Sequence, residues 1–287
     1  MIKIKTPATS ANLGAGFDCM GLALDIYNEI WIKPSDRLIV ETDDDLPKDH
    51  TNLVVSSMFK TYKYLGQEFS GAHIKQINNI PKTSGLGSSA ACVVGGVTAA
   101  NVLLGNLMSR QDVLDFCAMI DGHPDNVAPA ILGGITASVI NGQNKVHTFR
   151  CLPNGNIKIA LAIANFKLPT TKSRNILPKK YSREDLTYSL SRAVSTFAAL
   201  SLGQFEKLKY IMDDKIHTPY RRPLIANYDQ IVKAFEDAGA LGVYISGAGP
   251  AIAAFVDQNF RPFTPPKEWR LEIRNIVSQG VIVEMNS

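Results

Sequence analysis

The stretch that decides the fold is Pro81-Lys82-Thr83-Ser84-Gly85-Leu86-Gly87-Ser88-Ser89-Ala90-Ala91. Two glycines bracket Leu86, two serines follow, and the chain up to Leu104 then carries no charged residue. This pattern predicts a flexible loop that opens directly into a buried helix, which ends at Gly105. The first turn of a helix leaves about four N–H groups without intrahelical partners and carries about half a positive charge. Such a loop suits a phosphate group.

The spacing differs from that of the common phosphate loop, G-x-x-x-x-G-K-[ST], because no lysine follows Gly87. Lys82, on the other side of the glycines, is a substitute cation. Taken alone, the stretch is equally compatible with a glycine turn in which Ser88 is an ordinary N-cap. The other motifs of the chain have to decide between these two interpretations.

The composition indicates a soluble globular protein. The chain has 287 residues, of which 45% are hydrophobic and 20% charged, so it can fill one large or two ordinary domains. Lys and Arg number 30 against 26 for Asp and Glu, without a long basic run, and this small excess predicts no binding to nucleic acid.

The cysteines and the hydropathy pattern indicate the cellular compartment of the protein. Cys19, Cys92, Cys117 and Cys151 lie far apart without a C-x-x-C pair, which predicts reduced thiols rather than a zinc site or disulfides. No signal peptide and no membrane span of about 20 apolar residues is evident. We therefore expect a cytoplasmic protein with no membrane association.

The first half of the chain reads as alternating strands and helices. Capping residues predict a helix from Thr51 or Asn52 to Tyr64, and a capping box formed by Ser109 and Asp112 predicts another that ends at Gly122. The acidic run at 43–45 is interpreted as a solvated loop rather than a metal site. Strands are expected at residues 2–6 (ending before Pro7), at 29–33 paired with 37–42, at 72–77, and at 135–140, the last with a hairpin at Asn141-Gly142 and a return strand toward Arg150.

A turn at Pro153–Asn156 is the predicted domain boundary, which gives domains of residues 1–152 and 153–287. The second half predicts an α+β unit with β-α-β-β-α-β character. Its expected elements are strands at 157–164, 243–246, 251–256 and 281–285 and helices at 182–202, 205–212, 228–238 and 268–278.

Two further motifs accompany the glycine loop. They are Pro7-Ala8-Thr9-Ser10-Ala11-Asn12-Leu13-Gly14-Ala15-Gly16-Phe17-Asp18 and Gly242-Val243-Tyr244-Ile245-Ser246-Gly247-Ala248-Gly249-Pro250. Together with Pro81–Ala91 they resemble the three motifs of the GHMP kinases, a family of small-molecule kinases named for galactose, homoserine, mevalonate and phosphomevalonate. The stretch Gly122-His123-Pro124-Asp125-Asn126-Val127-Ala128-Pro129-Ala130 is similar to the homoserine kinase branch in particular.

The resemblance implies a fold and a reaction. The fold is α+β, the GHMP kinase fold: an N-terminal α/β domain of the ribosomal-S5 type and a C-terminal ferredoxin-like domain, with the site between them. The reaction is phosphorylation of the L-homoserine side-chain hydroxyl by ATP, on the route to threonine, and many relatives are homodimers. ATP is expected on Pro81, Lys82, Thr83, Ser84, Gly85, Leu86, Gly87, Ser88, Ser89, Ala90 and Ala91.

The resemblance also implies a substrate site. Asn12 and Asp18 are expected to hold the ammonium, Arg174 and Arg221 the carboxylate, with His123 near the hydroxyl and Gly249 among the contacts. A planar guanidinium suits a carboxylate because it donates two parallel hydrogen bonds. Only the family pattern favours Arg221 over its neighbour Arg222.

The metal and catalytic residues depart from the family at one position. Homoserine kinases of this type generally show Glu-Gly-His-Pro-Asp-Asn, and Asp121 stands where the glutamate is expected. Asp121 and Ser88 are the predicted Mg²⁺ ligands, with Asp115 as the alternative. The catalytic set is Asp121, Asp125, Asn126 and Ser88, and the resemblance implies a reaction without a dedicated base.

Two alternatives stay open at this point. One is another GHMP kinase, such as a mevalonate-type enzyme, which would not need paired arginines beside an ammonium-binding aspartate. The other is a catalytically silent relative that only binds ligand. A silent relative is expected to have lost the glycine loop or the H-P-D-N run, and both are intact here.

Overall fold

The computed structural model describes residues 1–42, 45–153 and 156–285. The strands are β1 (Ile2–Ala11), β2 (Met20–Pro34), β3 (Ile39–Thr42), β4 (Ala72–Ile77), β5 (Ile135–Ile140), β6 (Val146–Cys151), β7 (Lys158–Ala164), β8 (Gly242–Ile245), β9 (Ile252–Val256), β10 (Trp269–Asn275) and β11 (Ile282–Met285). The helices are α1 (Leu53–Tyr64), α2 (Ser88–Leu103), α3 (Arg110–Asp121), α4 (Pro124–Leu132), α5 (Thr170–Asn175), α6 (Arg183–Leu202), α7 (Leu208–Ile211), α8 (Thr218–Arg221) and α9 (Tyr228–Asp237).

The larger sheet has seven strands. Its path is β11-β1-β2-β4-β3, and β5 and β6 continue from β2. β2 pairs with both β4 and β5 because its 15 residues are long enough for β4 to lie along its end and β5 along its start. α2 and α4 pack on β1 and β2, while α1 and α3 pack on α2. This arrangement places the start of α2 beside the end of β1.

Helix α2 is buried, as the glycine-loop pattern predicts. Val93, Val94 and Val97 are at most 2% exposed. A Cβ atom at Gly96 would lie 2.4 Å from the Val54 carbonyl oxygen of α1, so only glycine permits this close helix packing. Burial on all sides explains why the helix carries no charge along its length.

The smaller sheet is antiparallel with the order β10-β7-β9-β8. Numbered along the chain this is 4-1-3-2, the strand order of the ferredoxin-like fold expected for the second half. One face packs with α9 through Ile231 and Phe235. The other face shares a core with β2 and α6, in which Leu22, Ile159 and Leu200 are fully buried. The predicted α+β class is confirmed.

One predicted helix is wrong. Within residues 268–278, Trp269–Asn275 form β10, which pairs with β7 along its whole length. Trp269, Leu271 and Ile273 alternate with charged residues, which is the period of a strand. Residues 257–268, all of them described, connect β9 to β10 without a helix.

Two predictions about strands in the first half are also wrong. Pro7 does not end β1; the strand continues to Ala11 with a register shift between Pro7 and Ala8. Proline has no N–H to donate, and a bulge is one of the places where a sheet tolerates it. β3 pairs in parallel with β4 instead of forming a hairpin with β2.

The capped helices are confirmed. The Asn52 side chain accepts the Val54 N–H, Ser109 and Asp112 form the capping box of α3, and Ser182 caps α6. Gly122 ends α3 in a left-handed conformation. The helix predicted at 205–212 is a 3-10 turn followed by the short α7.

The chain returns to the larger sheet at its end, because β11 pairs with β1. The division at residues 152/153 remains a prediction, and the expected turn at Pro153–Asn156 includes residues outside the described ones. The acidic run at 43–45 likewise includes two positions outside them. Within the described ranges, no helix has the length and apolar character needed to cross a membrane. All four cysteines are free thiols.

Candidate active site

A cleft of about 390 Å³ lies where the glycine loop, the first motif and the third motif meet. Its walls are formed by residues from the first half of the chain, which contains most of the larger sheet, and from the second half, which contains the smaller sheet. This is the arrangement expected of a site between two domains. The residues lining it are Asn12, Asp18, Thr83, Ser84, Gly85, Leu86, Gly87, Ser88, Ser89, Ala90, Asp121, His123, Asp125, Asn126, Thr170, Thr171, Arg174, Arg221, Gly247 and Ala248.

The glycine loop is held from two sides. The Ala251 N–H donates to the Ser84 carbonyl at 3.0 Å, and the Ser246 hydroxyl donates to the Gly85 carbonyl at 2.7 Å. From the larger sheet, the Thr9 N–H donates to the Leu86 carbonyl at 3.2 Å. These bonds fix the backbone while leaving the start of α2 directed at the cleft.

The residue that caps α2 is Gly87, not Ser88. Gly87 has φ +68°, and no described side chain caps the helix. Ser88 is the first helical residue and lines the cleft. An uncapped helix start in a cleft wall is an anion site, so the structure favours the phosphate interpretation over the ordinary turn.

Gly87→Ala is expected to raise the KM for ATP by at least about tenfold, because a Cβ atom at this position would lie 1.9 Å from Thr9 Oγ1 and 3.0 Å from Asn126 Oδ1. The loop would have to move away from the phosphate position. Steady-state kinetics with varied ATP measure this. Gly105→Ala is the matched control, since Gly105 has φ +80° but open space around it. An equal effect in both variants would contradict the prediction.

The H-P-D-N segment forms a hydrogen-bonded chain along one wall. Thr9 Oγ1 donates to Asn126 Oδ1 at 2.7 Å, and Asn126 Nδ2 donates to Asp125 Oδ1 at 3.2 Å. His123 Nδ1 lies 2.5 Å from the same Asp125 oxygen. Burial opposes protonation of His123, but the hydrogen bond to Asp125 and the charges of Asp125 and Asp121 outweigh it and raise the pKa of His123. Asp125 Oδ1 is therefore occupied as an acceptor.

Asp121 differs from Asp125 in having no protein donor. Its carboxylate is 12% exposed, lies 3.7 Å from His123 Nδ1, and accepts no hydrogen bond from the described residues. Burial raises the pKa of Asp121 to about 6, although the His123 ring acts in the opposite direction. A buried carboxylate without donors at the wall of a cleft is suited to a cation.

The donor set around the cleft is compatible with Mg²⁺. Oxygen ligands are what this ion prefers, and Asp121 with the Ser88 hydroxyl supplies them. A second candidate group consists of Asp18, His123 and Asp125, each with one possible ligand atom within 4.8 Å of the others. The raised pKa of His123 and its bond to Asp125 make that second group a poorer fit.

Asp115, the alternative ligand, lies outside the cleft. Its Oδ1 accepts from the Val146 N–H and from Gln111 Nε2, both at 2.8 Å, and its Oδ2 lies 2.9 Å from Lys145 Nζ. Asp115 is in the middle of α3 and points to β6. The structure therefore does not bring Asp115 to the other carboxylates, which disfavours it as the alternative metal ligand.

Asp18 and Arg174 contact each other. Arg174 Nη2 donates to Asp18 Oδ1 at 2.7 Å and Nη1 donates to Oδ2 at 3.1 Å. The two side chains are 32% and 35% exposed, so both still face the cleft. The Asn12 side chain accepts the Asp18 N–H at 3.0 Å and donates to the Gly247 carbonyl at 2.7 Å, which fixes the first motif against the third.

Arg221 is 1% exposed. Its Nε donates to the Ser173 carbonyl at 3.3 Å, and its Nη1 donates to the Gly247 carbonyl at 2.9 Å. Burial, together with the charge of Arg174, lowers the pKa of Arg221 to about 10. No carboxylate of the described chain forms an ion pair with it. Arg222 is exposed and paired with Asp229, so the geometry favours Arg221 of the two.

Most of the predicted site residues line the cleft. Pro81, Lys82, Ala91 and Gly249 are the ones that do not. The expected roles of all these residues stay predictions. Arg174 and Arg221 belong to the short helices α5 and α8, which are not among the predicted elements. Sequence reasoning missed Thr170, Thr171, Gly247 and Ala248. The last two stand inside the quoted third motif, and the threonines precede Arg174 by only a few residues.

Family comparisons cover both halves of the chain. The model of the GHMP kinases N terminal domain matches residues 52–134, and that of the GHMP kinases C terminal matches residues 193–261. The homoserine kinase of Clostridium acetobutylicum is 43% identical over 91% of this chain and 90% of its own length. The homoserine kinase of Clostridium botulinum strain Okra is 40% identical over 99% of this chain and 98% of its own.

Solved structures give the same result. The crystal structure of homoserine kinase from Cytophaga hutchinsonii superposes with a TM-score of 0.85 at 32% identity, covering 99% of this chain and 97% of that one. Mevalonate kinase from Methanococcus jannaschii shares the fold at a TM-score of 0.69 and 18% identity. With both domain models matched and curated relatives at about 40% identity along nearly its whole length, the chain belongs to the homoserine kinases of the GHMP kinase family.

Proposed function

We propose that the protein transfers the γ-phosphoryl group of ATP to the side-chain hydroxyl of L-homoserine, giving ADP and O-phospho-L-homoserine. The observation that carries the proposal is the buried Arg221 guanidinium, which forms no ion pair with a carboxylate of the described residues, although Asp18 and Asp214 are close enough for their charges to act on it. A buried charge is costly without a counter-ion. A substrate carboxylate supplies one.

The Asp18–Arg174 pair supports an amino-acid substrate. An amino acid carries an ammonium beside a carboxylate. The pair offers each of these groups an opposite charge, since Arg174 Nη2 and Asp18 Oδ1 lie side by side, 2.7 Å apart. The carboxylate of Asp18 attracts the ammonium, while Arg174 and Arg221 receive the substrate carboxylate. A neutral or purely anionic alcohol has no ammonium to place beside Asp18, which would keep Arg174 as its cationic partner.

The phosphate end of the site is the start of α2. The first-turn N–H groups and the Ser88 hydroxyl face the triphosphate, and the helix dipole favours its negative charge. Asp121 and Ser88 would hold Mg²⁺. When bound, this ion neutralises charge on the transferred phosphoryl group.

The residues present support transfer without a dedicated base. Asp125 accepts hydrogen bonds from its two neighbours, and the raised pKa of His123 favours the cationic ring, which accepts no proton. In a loose transition state the hydroxyl proton leaves late. As the new oxygen–phosphorus bond forms and the bond to ADP breaks, the proton passes to an oxygen of the transferred phosphoryl group.

Asp125→Asn is expected to lower kcat by less than about tenfold and to leave the pH dependence of kcat unchanged, because Asp125 orients His123 and Asn126 rather than taking a proton. Initial rates across the pH range measure this. A general base contributes about 10²- to 10⁴-fold. A loss of that size, with disappearance of the acidic limb of the profile, would show that Asp125 is the base.

An ADP-release assay tests the proposed function directly. The purified protein is offered homoserine, mevalonate, galactose and shikimate with ATP, and turnover is expected with homoserine. Turnover with mevalonate but not homoserine would identify the protein as the alternative kinase. No turnover with any of them, combined with measurable ligand binding, would identify a silent relative.

Two expectations from the sequence analysis remain predictions. A homodimer is expected, and light scattering of the purified protein measures its mass. A cytoplasmic location is expected, and fractionation of cells that express the protein tests it.

A further inference from the structure

We propose that His217 is a positioning residue that holds the buried Arg221 guanidinium in the orientation needed to receive the substrate carboxylate, and thereby makes the site selective for alcohols that carry one. This inference rests on the proposed function. It concerns a residue that lies behind the cleft and does not line it.

The Arg221 guanidinium has three neutral neighbours. The carbonyl oxygens of Ser173 and Gly247 take protons from Nε and Nη1, and His217 Nδ1 lies 3.3 Å from Nη1. The remaining nitrogen, Nη2, has no partner in the described chain, and Arg221 lines the cleft. The contacts with Ser173, Gly247 and His217 therefore decide which edge of the fork is presented to a ligand.

The tautomer of His217 follows from its partners. Its Nε2 lies 2.8 Å from the Gly14 carbonyl oxygen, which can only accept, so Nε2 carries the proton. Nδ1 is then an unprotonated acceptor that faces Arg221. The ring is fully buried, and burial lowers the pKa of His217, which keeps it neutral. A protonated ring could not accept from Arg221 and would repel it.

Asp214 holds the segment that carries both residues. Its carboxylate accepts the N–H groups of Ile216 at 2.5 Å, His217 at 2.9 Å and Thr218 at 2.8 Å, immediately before α8. The His217 ring also stacks on Phe17 with centroids 5.3 Å apart. Backbone and ring are thus both restrained, as a positioning residue requires.

The contact with Gly14 gives this arrangement a consequence for the whole substrate site. Gly14 belongs to the loop between β1 and β2 that also carries Asn12 and Asp18. His217 therefore connects the loop expected to bind the ammonium with the arginine expected to bind the carboxylate. The imidazole ring thus helps to fix the spacing of the two charge holders, together with the bonds that Asn12 and Arg221 both donate to the Gly247 carbonyl.

Two substitutions test separately the two hydrogen bonds of the His217 ring, from Nε2 to Gly14 and from Arg221 to Nδ1. His217→Gln keeps a donor near the position of Nε2 and removes the acceptor at Nδ1, whereas His217→Asn keeps an acceptor near Nδ1. We expect His217→Gln to raise the KM for homoserine about tenfold while the KM for ATP and kcat change less than about twofold. His217→Asn should raise the KM for homoserine less than about threefold.

A ligand without the carboxylate distinguishes positioning from general damage. 3-Aminopropan-1-ol is homoserine without its carboxylate, and its inhibition constant against homoserine should be the same in wild type and His217→Gln. His147→Gln, at an exposed histidine on β6, is the control for the substitution itself. Loss of affinity for both ligands to the same extent, or an unchanged KM for homoserine, would overturn the inference.

A measurement on the wild-type protein tests the inference even if a variant fails to fold. ¹⁵N NMR of the histidine rings at about pH 7 should show His217 with a protonated Nε2 and a bare Nδ1. A protonated Nδ1 would overturn the inference. Wild-type protein that does not phosphorylate homoserine overturns the proposed function and this inference with it, whereas active wild type with unaffected variants overturns the inference alone.

Discussion

Asp121→Asn is expected to lower kcat by about 10²- to 10³-fold, the size typical of removing one group that stabilises transition-state charge. Asp121 is the buried carboxylate of the cleft that no described donor satisfies, so its charge is available to a cation near the transferred phosphoryl group. The Mg²⁺ concentration for half-maximal rate should rise in the same variant. Kinetics with varied Mg²⁺ at saturating ATP and homoserine measure both effects.

The stability of Asp121→Asn provides an independent readout. The folded-state pKa of Asp121, about 6, lies above the value of about 3.9 for an unfolded chain. The folded protein therefore binds more protons between these values, and this carboxylate lowers stability as the pH rises from about 4 to 6. Asparagine removes that loss, so the variant should melt at a higher temperature than wild type at pH 7.

Asp115→Asn is the matched control, since Asp115 lies on the same helix but is bonded to β6. We expect it to keep the wild-type kcat and Mg²⁺ dependence. If Asp115→Asn lost activity while Asp121→Asn kept it, the assignment of the metal ligand would be reversed. A lower melting temperature in Asp121→Asn would show that this carboxylate is stabilising in the free protein.

Arg221→Met is expected to raise the KM for homoserine by about 100-fold with little change in the KM for ATP. Each charge-assisted hydrogen bond to a carboxylate contributes about 1.5–3 kcal/mol, and the Arg221 guanidinium is buried in the wall of the cleft. Methionine fills much of the same volume, so the change should not open a large cavity. Kinetics with varied homoserine measure the effect.

Arg222→Met is the control for this prediction. Arg222 is the next residue, exposed and paired with Asp229, and an exposed pair contributes little to stability. We expect its kinetics to match wild type. If Arg222→Met raised the KM for homoserine and Arg221→Met did not, the wrong neighbour has been assigned to the carboxylate.

Helix starts were predictable from the sequence because capping is local. Asn52, Ser109 and Ser182 each satisfy N–H groups two or three residues ahead, so a short window of sequence contains the whole interaction. The pairing of strands was harder to predict from the sequence. β3 pairs with β4, which lies about thirty residues further along the chain, and no short window contains that pairing.

The mistaken helix at 268–278 has a different cause. The alternation of Trp269, Leu271 and Ile273 with charged residues predicts a strand, whereas a helix was expected at this place in the β-α-β-β-α-β order of the domain. The sheet order of that fold is nevertheless present. Here the residues themselves were more informative than the pattern of elements.

The sequence by itself determined the glycine loop, the buried helix behind it, the H-P-D-N run and the family, because each depends on residues that are contiguous in the chain. The tertiary structure alone decided which charges are paired. It joined Asp18 to Arg174 across 156 positions, turned Asp115 away from the cleft, and left Arg221 buried beside His217, without an ion pair to a described carboxylate. The physical reason is that desolvation and ion pairing depend on distances between segments remote in sequence, which the order of residues does not contain.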